Sequence, residues 1–382
     1  MTVWDGLVGQ RSVIQTLRRA AGGHGMTHAW LFTGPPGSGR SNAAVAFAAA
    51  LQCEQGVGCG ECHACRTVLA GSHPDVVRVR TEKLSIGVDD VRDLVRKAAL
   101  APVGARWQVM VVEDADRLTD PACNALLKAI EEPTERTVWL LCTPTSEDVL
   151  GTIRSRCRSI ALSTPSSVDV ADFLVRTEAV SESLAAYAAR ASQGHIGRAR
   201  ALARDEATRN RRREIVSLPS RLLGLGACMV AATNLHETTQ EEAAALTGDL
   251  DAREKVDLDT SYGVVERGRR PREYAPALAA LEKGQKTRAK RRHLDVVDRS
   301  LMDLVSVYRD AIAVATRASS TLVNEEMRGE ITALARQSSP EANLRRIDAI
   351  FTARQQMLEF NVPPALALES MMVALLSEGS RR

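Results

Sequence analysis

The chain has 382 residues, of which 45% are hydrophobic but only 3% aromatic, and its formal net charge is +3. This length predicts two or three domains, and the scarcity of aromatic residues predicts Ala-, Leu- and Val-rich cores built from helices. No apolar run reaches about 18 residues, so we expect no membrane-spanning helix, and the first residues lack the pattern of a signal peptide. We therefore expect a cytoplasmic protein whose eight cysteines are not paired in disulfides. The mild charge neither requires nor excludes nucleic acid.

A glycine-rich segment follows the first predicted strand. Residues 29–32 are an apolar run, residues 34–41 read GPPGSGRS, and residues 42–48 have an Ala-rich helical pattern. Strand, glycine loop and helix in this order are the context of a phosphate-binding loop, where backbone N–H groups and a helix N-terminus surround phosphate oxygens. The pattern normally has Lys where this chain has Arg40, which favours phosphate-loop ancestry more than nucleotide hydrolysis. The candidate nucleotide-binding residues of this loop are Gly34, Gly37, Ser38, Gly39, Arg40 and Ser41.

A cluster of cysteines follows the predicted loop helix. Its members, all within residues 53–65, are Cys53, Cys59, Cys62 and Cys65. Zinc prefers four soft ligands in a tetrahedron, and the intervening glycines allow a tight turn, so we expect a structural zinc ion. A redox-active C-x-x-C pair would not need Cys53 and Cys59. The pattern also admits scattered free thiols, or a zinc site in which His63 replaces one thiol. Four thiolates would leave no open coordination position for catalysis.

Further predicted strands complete a doubly wound parallel sheet over about 160 residues. The predicted elements are strand 75–79, helix 88–100, strand 107–112, helix 120–132 and strand 137–142. Glu113 and Asp114 directly follow the third of the four strands, at the sheet edge that should also carry the glycine loop. One acid could hold Mg²⁺ and the next could orient a water molecule, although charged residues also simply end buried strands.

The remainder of the chain has helical patterns only. We expect an α/β domain over residues 1–163, a small three-helix domain over 164–207 and an all-helical domain over 208–382. Residues 253–292 are rich in charge and poor in apolar residues, with basic residues that include Arg267, Arg269 and Arg270. This segment predicts long exposed helices or partial disorder, and such basic faces are usually only solvated.

Five features in a fixed order resemble the bacterial sliding-clamp loader, a family of AAA+ proteins. They are the box Val8-Gly9-Gln10, the glycine loop, the four-cysteine insertion, the helix 124–132 and the tripeptide Ser155-Arg156-Cys157. The resemblance extends to residues 348–369 and so covers the whole chain. It implies an AAA+ domain with a zinc-binding insertion, a three-helix lid and a helical collar that mediates oligomerisation. It also implies that Val8 and Thr143 lie beside the nucleotide.

Departures from the family pattern indicate the subunit class. Motor subunits have Lys in the loop, Asp-Glu after the third strand and an Arg in the lid. This chain instead has Arg40, then Glu113 in the metal slot and Asp114 in the water-orienting slot, and Gly197 in the lid. A misplacement of about 1 Å can reduce a rate roughly 100-fold. Arg156 is retained, and in the family this arginine reaches the ATP of a neighbouring subunit. The combination resembles the delta-prime stator class, with a degenerate ATPase site.

The resemblance implies partners and cofactors as well. The expected partners are the gamma/tau and delta subunits in a hetero-pentamer, and, through that complex, the sliding clamp (beta) and primer–template DNA. The chain would then be a non-polymerising component of the DNA polymerase III holoenzyme, with structural Zn²⁺. Its own loop could hold ATP or ADP passively, with Mg²⁺ only if nucleotide is bound. Three rival functions are an active gamma/tau-type motor ATPase, a small-nucleotide kinase, and a zinc-bearing nucleic-acid scaffold that uses residues 267–292.

Overall fold

The computed structural model describes residues 2–81, 85–104, 106–264 and 271–376. The chain divides into two compact units, Met1–Asp205 and Glu206–Arg382, and each has its own apolar cores. Arg267, Arg269 and Arg270 of the predicted basic segment lie outside the described residues. Within the described part of the chain, no helix is both long and apolar enough to cross a lipid bilayer. All eight cysteines are free of disulfide bonds.

The first unit is built on a five-stranded parallel sheet in the order β2-β3-β4-β1-β5. This confirms the predicted parallel α/β sheet, and the loop-bearing strand β1 lies between β4 and β5. The fifth strand was not predicted, because β5 is an edge strand with only one buried residue and so lacks a buried apolar run. The strands are β1 Ala29–Thr33, β2 Val76–Val79, β3 Gln108–Val112, β4 Thr137–Thr143 and β5 Arg158–Ala161.

Helices cover both faces of this sheet. Alternate residues of β1 enter different cores: Trp30 and Phe32 pack on one face, and Ala29 and Leu31 pack on the other. Because both faces are buried, the central strands are apolar at nearly every position, as is usual in parallel sheets. The helices of this layer arrangement are α1 Arg11–Ala21, α2 Arg40–Gln52, α3 His63–Ala70, α4 Val88–Ala98, α5 Asp120–Glu131 and α6 Gly151–Arg154.

Three short helices follow the sheet and share a small apolar core of their own. Ser166 and Ser181 cap the first two helices by accepting hydrogen bonds from backbone N–H groups, as Ser commonly does at helix starts. His195 caps the third helix in the same way through Nδ1. The helices of this three-helix unit are α7 Ser167–Glu178, α8 Glu182–Ala191 and α9 Ile196–Arg204.

The second unit is entirely helical in its described residues. Its main core joins helices α11, α12, α14 and α15. A buried polar contact supplements this core: Arg212 of α10 donates to Asp303 of α12 at 3.1 Å. Residues 293–315 are the second half of one long helix. The helices are α10 Glu206–Ser217, α11 Leu225–Ser261, α12 Tyr274–Ala315, α13 Arg328–Gln337, α14 Pro340–Leu358 and α15 Pro364–Leu375.

Candidate functional site

The glycine loop connects the carboxyl end of β1 to the N-terminus of α2. Gly34 N–H donates to the carbonyl of Pro144 at 3.0 Å, and Ser38 N–H donates to the carbonyl of Pro35 at 3.1 Å. Gly34 has a φ of +149°, and a Cβ there would lie 2.6 Å from the carbonyl oxygen of Leu162, so a side chain is excluded. The buried Ser38 hydroxyl makes no hydrogen bond to another described residue. A cradle that excludes side chains and holds an unsatisfied hydroxyl fits an oxyanion such as a phosphate.

Arg40 does not project out of the loop as a phosphate-binding cation. Its Nη1 donates to the carbonyl oxygen of Gly34 at 2.5 Å, so the guanidinium folds back onto the loop that carries it. Burial lowers the pKa of Arg40, and an opposing influence comes from Cys142 and then from three carboxylates. Those carboxylates are Asp116, Asp114 and Asp148. The charge that would meet a phosphate is therefore engaged within the protein.

The three-helix unit packs directly against the glycine loop. A Cβ at Gly37, where φ is +85°, would lie 2.4 to 2.6 Å from Cγ, Cα and Cβ of His195. Only a residue without a side chain permits this approach. His195 also caps α9 by accepting from Arg198 N–H at 3.2 Å. His195 thus fixes both the start of α9 and the distance of α9 from the glycine loop. Gly197 and Arg198 follow it in the first turn of α9.

The two acids after β3 have different surroundings. Glu113 accepts hydrogen bonds from Nε and Nη2 of Arg78, at 3.2 and 2.8 Å, and its side chain is 9% exposed. Arg78 is on β2, which lies on the side of β3 away from β4 and β1, so Glu113 is held away from the glycine loop. Asp114 instead acts electrostatically on Arg40. The structure therefore brings Asp114, but not the carboxylate of Glu113, toward the loop.

Thr143 and Val8 are both buried. Thr143 Oγ1 donates to the carbonyl of Thr145 at 3.0 Å and to Asp148 Oδ2 at 3.3 Å, so the hydroxyl holds the turn after β4. Val8 belongs to the core of the three-helix unit and lines a cleft of about 750 Å³ between the N-terminal segment and α7. The neighbouring Gln10 bonds the carbonyl of Ser163. The Val8-Gly9-Gln10 box thus joins the N-terminal segment to the chain that enters the three-helix unit.

Arg156 lies on the surface, in the short segment between α6 and β5. Its side chain is 40% exposed and pairs with Glu131 at 2.7 Å, and Glu131 is itself 42% exposed. Nη1 of Arg156 also donates to the carbonyl of Thr152 at 2.9 Å. Exposed ion pairs contribute a median of about 0–1 kcal/mol to stability, so the pair with Glu131 holds the guanidinium only weakly. The following thiol is different: burial raises the pKa of Cys157 to about 12, so this side chain is neutral.

The four cysteines of the insertion converge on one point. Their sulfur atoms all lie within 4.8 Å of one another, and Cys53 and Cys59 are separated by 3.8 Å. A tetrahedron with metal–sulfur distances of about 2.3 Å has sulfur–sulfur edges of about 3.8 Å, so the cluster has the dimensions of a metal site. Successive backbone N–H groups point at the sulfurs: those of Cys59, Cys62 and Cys65 each donate at 3.4 Å.

These donors affect the acidity of the thiols. Burial acts to raise the pKa of Cys53, but backbone N–H groups, with that of Cys59 first, outweigh it and lower this pKa to about 6. The pKa of Cys62 is also lowered, whereas burial raises that of Cys65. A thiol that ionises readily suits metal coordination, because the thiolate is the ligand. The four sulfurs therefore fit a soft divalent ion by number and geometry, and the lowered pKa values of Cys53 and Cys62 favour the thiolate form of those two ligands.

The sequence did not reveal the residues that contact the candidate site residues and fix their side-chain positions. Arg78, Glu131 and His195 each act on a candidate residue, and none was singled out. A charged residue within the apolar strand β2 was a signal for Arg78, since such a residue needs a partner at the strand end. Gly194, which precedes His195 and has a φ of +86°, was the signal for a close approach at that turn.

Comparison with known proteins supports this architecture. Residues 9–166, which contain the sheet and the glycine loop, match the family described as "DNA polymerase III, delta subunit". Residues 9–166 are thus similar to DNA polymerase III clamp-loader proteins. The resemblance of the remaining residues to a clamp-loader collar stays a prediction.

Several curated subunits of DNA polymerase III are similar to part of this chain. The delta' subunit of DNA polymerase III from Escherichia coli is 38% identical over 189 residues, which are 48% of this chain and 56% of that protein. The delta' subunit from Yersinia pestis is 43% identical over 135 residues, or 34% of this chain and 40% of that protein. The tau subunit from Bacillus subtilis is 36% identical over 158 residues, which are 41% of this chain and 28% of that protein. The chain thus spans between about a quarter and about half of the length of these relatives.

Solved structures were also compared. A DNA polymerase III, gamma subunit-related protein from Thermotoga maritima aligns with 96% of this chain and 99% of its own, with 15% identity and a TM-score of 0.43. The RuvB Holliday junction branch migration motor of the same organism aligns with 55% of this chain and 63% of its own, with 18% identity and a TM-score of 0.38.

Proposed function

We propose that this chain is a delta-prime-type stator subunit of a DNA polymerase III clamp loader. In this role it helps to load the sliding clamp onto primed DNA within a hetero-pentamer that includes gamma/tau and delta subunits. It does not turn over ATP itself. It contributes Arg156 to the ATP held by a neighbouring subunit, and a structural zinc ion stabilises its cysteine insertion. Its own glycine loop could hold a nucleotide passively.

The observation that carries this proposal is the contrast between two arginines. Arg40 is half-buried and turned into its own loop, where it donates to the Gly34 carbonyl, whereas Arg156 is at the surface, where water can replace its contacts with Glu131 and the Thr152 carbonyl. A guanidinium that reaches a neighbouring nucleotide must be accessible and easily released, and breaking an exposed pair costs about 1 kcal/mol or less. A finger arginine supplied to a phosphoryl-transfer site increases its rate roughly 10³- to 10⁵-fold.

Two contacts argue against the alternative of an active motor ATPase. Metal binding by Glu113 would require its ion pair with Arg78 to open, and phosphate binding by Arg40 would require its bond to Gly34 to open. Hydrogen bonds to charged groups contribute about 1.5–3 kcal/mol each, so both changes oppose assembly of a hydrolytic site. The loop backbone remains suitable for passive phosphate binding.

The surface of α14 supports assembly with other subunits. Leu344, Phe351 and Leu358 are all exposed, at 51%, 44% and 42%, and their seven-residue spacing places them on one face of the helix. We call these three residues the α14 stripe. An exposed apolar row of this kind indicates a contact with another helix. We assign that contact to a second clamp-loader subunit, because residues 9–166 are similar to clamp-loader proteins.

The proposal is tested by Arg156→Ala in the assembled loader, with formation of the complex verified by size-exclusion chromatography. We expect DNA-stimulated ATP hydrolysis to fall and clamp loading to decrease at least about ten-fold, because one nucleotide site loses its finger. Arg154→Ala is the matched control, since Arg154 is nearby and forms a similarly exposed pair with Glu147. Full ATPase and loading rates in an intact Arg156→Ala complex would refute the finger assignment.

A further inference from the structure

Helices α11 and α12 extend beyond the apolar core of the second unit as an antiparallel pair. On α11 the buried core residues end at Leu235, and on α12 they begin at Leu294. We call residues 236–264 and 271–293 the arm. Its 26 helical residues on α11 correspond to a length of about 39 Å. The arm contains no large apolar cluster among its described residues, so something other than hydrophobic packing holds its helices together.

Polar contacts join the two helices of the arm. Arg288 of α12, 6% exposed, donates to both carboxylate oxygens of Glu254 at 2.7 and 2.8 Å, and pairs with Asp251 at 3.1 Å. Tyr274 donates its hydroxyl to Asp259 at 2.6 Å. The bond from Arg288, followed by burial acting in the opposite sense, leaves the pKa of Glu254 below its usual value. Acidic residues of α11 thus hold α12 through Arg288 and Tyr274, and other basic residues of α12 take no part in these contacts.

The charges of the arm are sorted between its helices. Residues 236–264 of the α11 side contain eight acidic and two basic residues, and residues 271–293 of the α12 side contain seven basic and two acidic residues. The basic residues of the α12 side are Arg272, Lys283, Lys286, Arg288, Lys290, Arg291 and Arg292. The arm therefore presents one cationic side and one anionic side.

Three of these cations form a row that faces solvent. Lys283, Lys286 and Lys290 are exposed, and their spacing of three and four residues places them within an arc of about 60° at 3.6 residues per turn. The arc is opposite the side of α12 that carries Gln285 and Arg288 toward α11. Among the described residues, none forms an ion pair with any of the three lysines. We call these lysines the lysine face.

An ordinary solvated helix surface carries both signs of charge in pairs three or four residues apart. The one acidic residue within four positions of these lysines is Glu282, four residues before Lys286, and among the described residues these two form no ion pair. No large apolar side chain of residues 271–293 is exposed, so the surface lacks the anchors that an amphipathic membrane helix or a protein hot spot requires. Its chemistry is that of a row of point charges, which suits phosphate groups.

The dimensions of the row agree with a nucleic-acid backbone. Lys283 and Lys290 are separated by about 10.5 Å along the helix axis. Successive phosphates of one DNA strand advance by about 3.4 Å along the duplex axis, so the row spans about three of them. The acidic side of the arm would repel the same backbone, so contact is restricted to the α12 side.

We propose that the lysine face of α12 binds the phosphate backbone of nucleic acid without reading its sequence. This activity is additional to the stator role and does not depend on it. Lys283, Lys286 and Lys290 are the contact residues. Because such contacts release counterions, affinity falls with salt in proportion to the number of phosphates neutralised.

The test uses the full chain alone, without partners or ATP, and measures anisotropy of a labelled primer–template DNA over a series of salt concentrations. For Lys283→Gln/Lys286→Gln/Lys290→Gln, we expect the slope of log affinity against log salt to shrink by about 2.7, because each lost contact contributes about 0.9. Two double variants are then compared. Lys283→Gln/Lys290→Gln removes two lysines of the lysine face on α12. Arg253→Gln/Lys255→Gln on α11, where both residues are exposed, is its matched control. The slope of log affinity against log salt should shrink by about 1.8 for the α12 double variant, and it should equal the wild-type slope for the α11 double variant.

Circular dichroism verifies that the variants keep their helix content. The proposal is overturned if the wild-type chain does not bind DNA at low salt, or if the triple variant binds with unchanged affinity and slope. It is also overturned if an acidic peptide of matched charge displaces the DNA at equal concentration, since an acidic protein would then be the partner. None of these outcomes bears on Arg156, because the loader complex is absent from the assay.

Discussion

At the scale of single residues, the identity of the side chain at position 40 has a structural consequence. A lysine at this position of a phosphate loop presents one compact ammonium group to the ligand. A guanidinium is longer, planar and able to donate in several directions, and in this chain it donates to the Gly34 carbonyl. The substitution therefore changes the resting state of the loop as well as the group offered to phosphate.

Restoring the lysine should improve nucleotide binding. We expect Arg40→Lys to bind a fluorescent ATP analogue roughly ten-fold more tightly than the wild type, because binding no longer requires a charged hydrogen bond worth about 1.5–3 kcal/mol to break. Titration of the purified chain measures this difference. We expect no hydrolysis by either protein, since Glu113 is paired with Arg78.

The control is Arg40→Ala, which removes the bond to Gly34 and also the cation. It should bind more weakly than Arg40→Lys. Equal affinities for wild type and Arg40→Lys would show that the contact between Arg40 and Gly34 does not limit binding.

The sequence identified most residues that surround the loop, but not the states of their side chains. Arg40 and Asp114 were singled out from their positions after predicted strands. The contact of Glu113 with Arg78 joins residues 35 positions apart, and that of Arg156 with Glu131 joins the segment before β5 to the end of α5. Such partners depend on strand order and on rotamers, which no local pattern encodes. The same limit applies to His195, whose role appears only when α9 packs on Gly37.

At the scale of elements, the cysteine insertion is a small module fixed to the sheet domain. Val3 N–H donates to the Gly58 carbonyl at 3.1 Å, and Trp4 Nε1 donates to the Val57 carbonyl at 3.0 Å. The module has few apolar residues of its own, so the cross-link that a metal would supply would stabilise its fold. Four cysteines at this spacing were sufficient to predict the cluster, because metal ligation imposes a pattern that the sequence displays directly.

Loss of one ligand should remove the metal. We expect the wild-type chain to contain one zinc ion by elemental analysis, and Cys59→Ser to contain none, because a structural site needs all four ligands. Cys59 is only partly buried, so its replacement leaves no large cavity. A chelator should lower the unfolding temperature of the wild type but not that of the variant.

Cys123→Ser serves as the control, since Cys123 is buried and lies outside the cluster. It should retain one zinc ion. Wild-type protein that lacks metal and does not respond to the chelator would contradict the assignment of a structural zinc site.

Elements were predictable where burial is complete. The apolar runs of β1, β3 and β4 gave these strands within one residue at each end, because both sheet faces are covered. The edge strand β5 has exposed residues at three of its four positions and carries no such signal. Residues 253–292 were predicted to form long exposed helices or to be partly disordered, but the sorted charges of the arm and the buried Arg288 depend on the pairing of α11 with α12.

At the scale of the whole molecule, the second unit leaves a row of large apolar side chains uncovered. The sheet of the first unit is buried on both faces, whereas the second unit exposes the α14 stripe together with Phe360 and Leu366. Large exposed apolar side chains that follow one helix face are unfavourable in water unless a partner covers them. The α14 stripe is therefore a surface suited to assembly.

The centre of the α14 stripe is the place to test this. Phe351→Glu should weaken assembly with the other loader subunits by about 2 kcal/mol or more, roughly 30-fold in Kd, because it places a charge where an aromatic anchor should be buried. Its effect on the unfolding of the isolated chain should be within about 0.5 kcal/mol, since Phe351 is exposed. Thr352→Glu, at the next exposed position, turns the same charge about 100° away and should assemble normally. Size-exclusion chromatography and titration of the complex measure both variants. If Phe351→Glu and Thr352→Glu assemble equally well, the subunit contact lies elsewhere on the second unit or on the sheet domain.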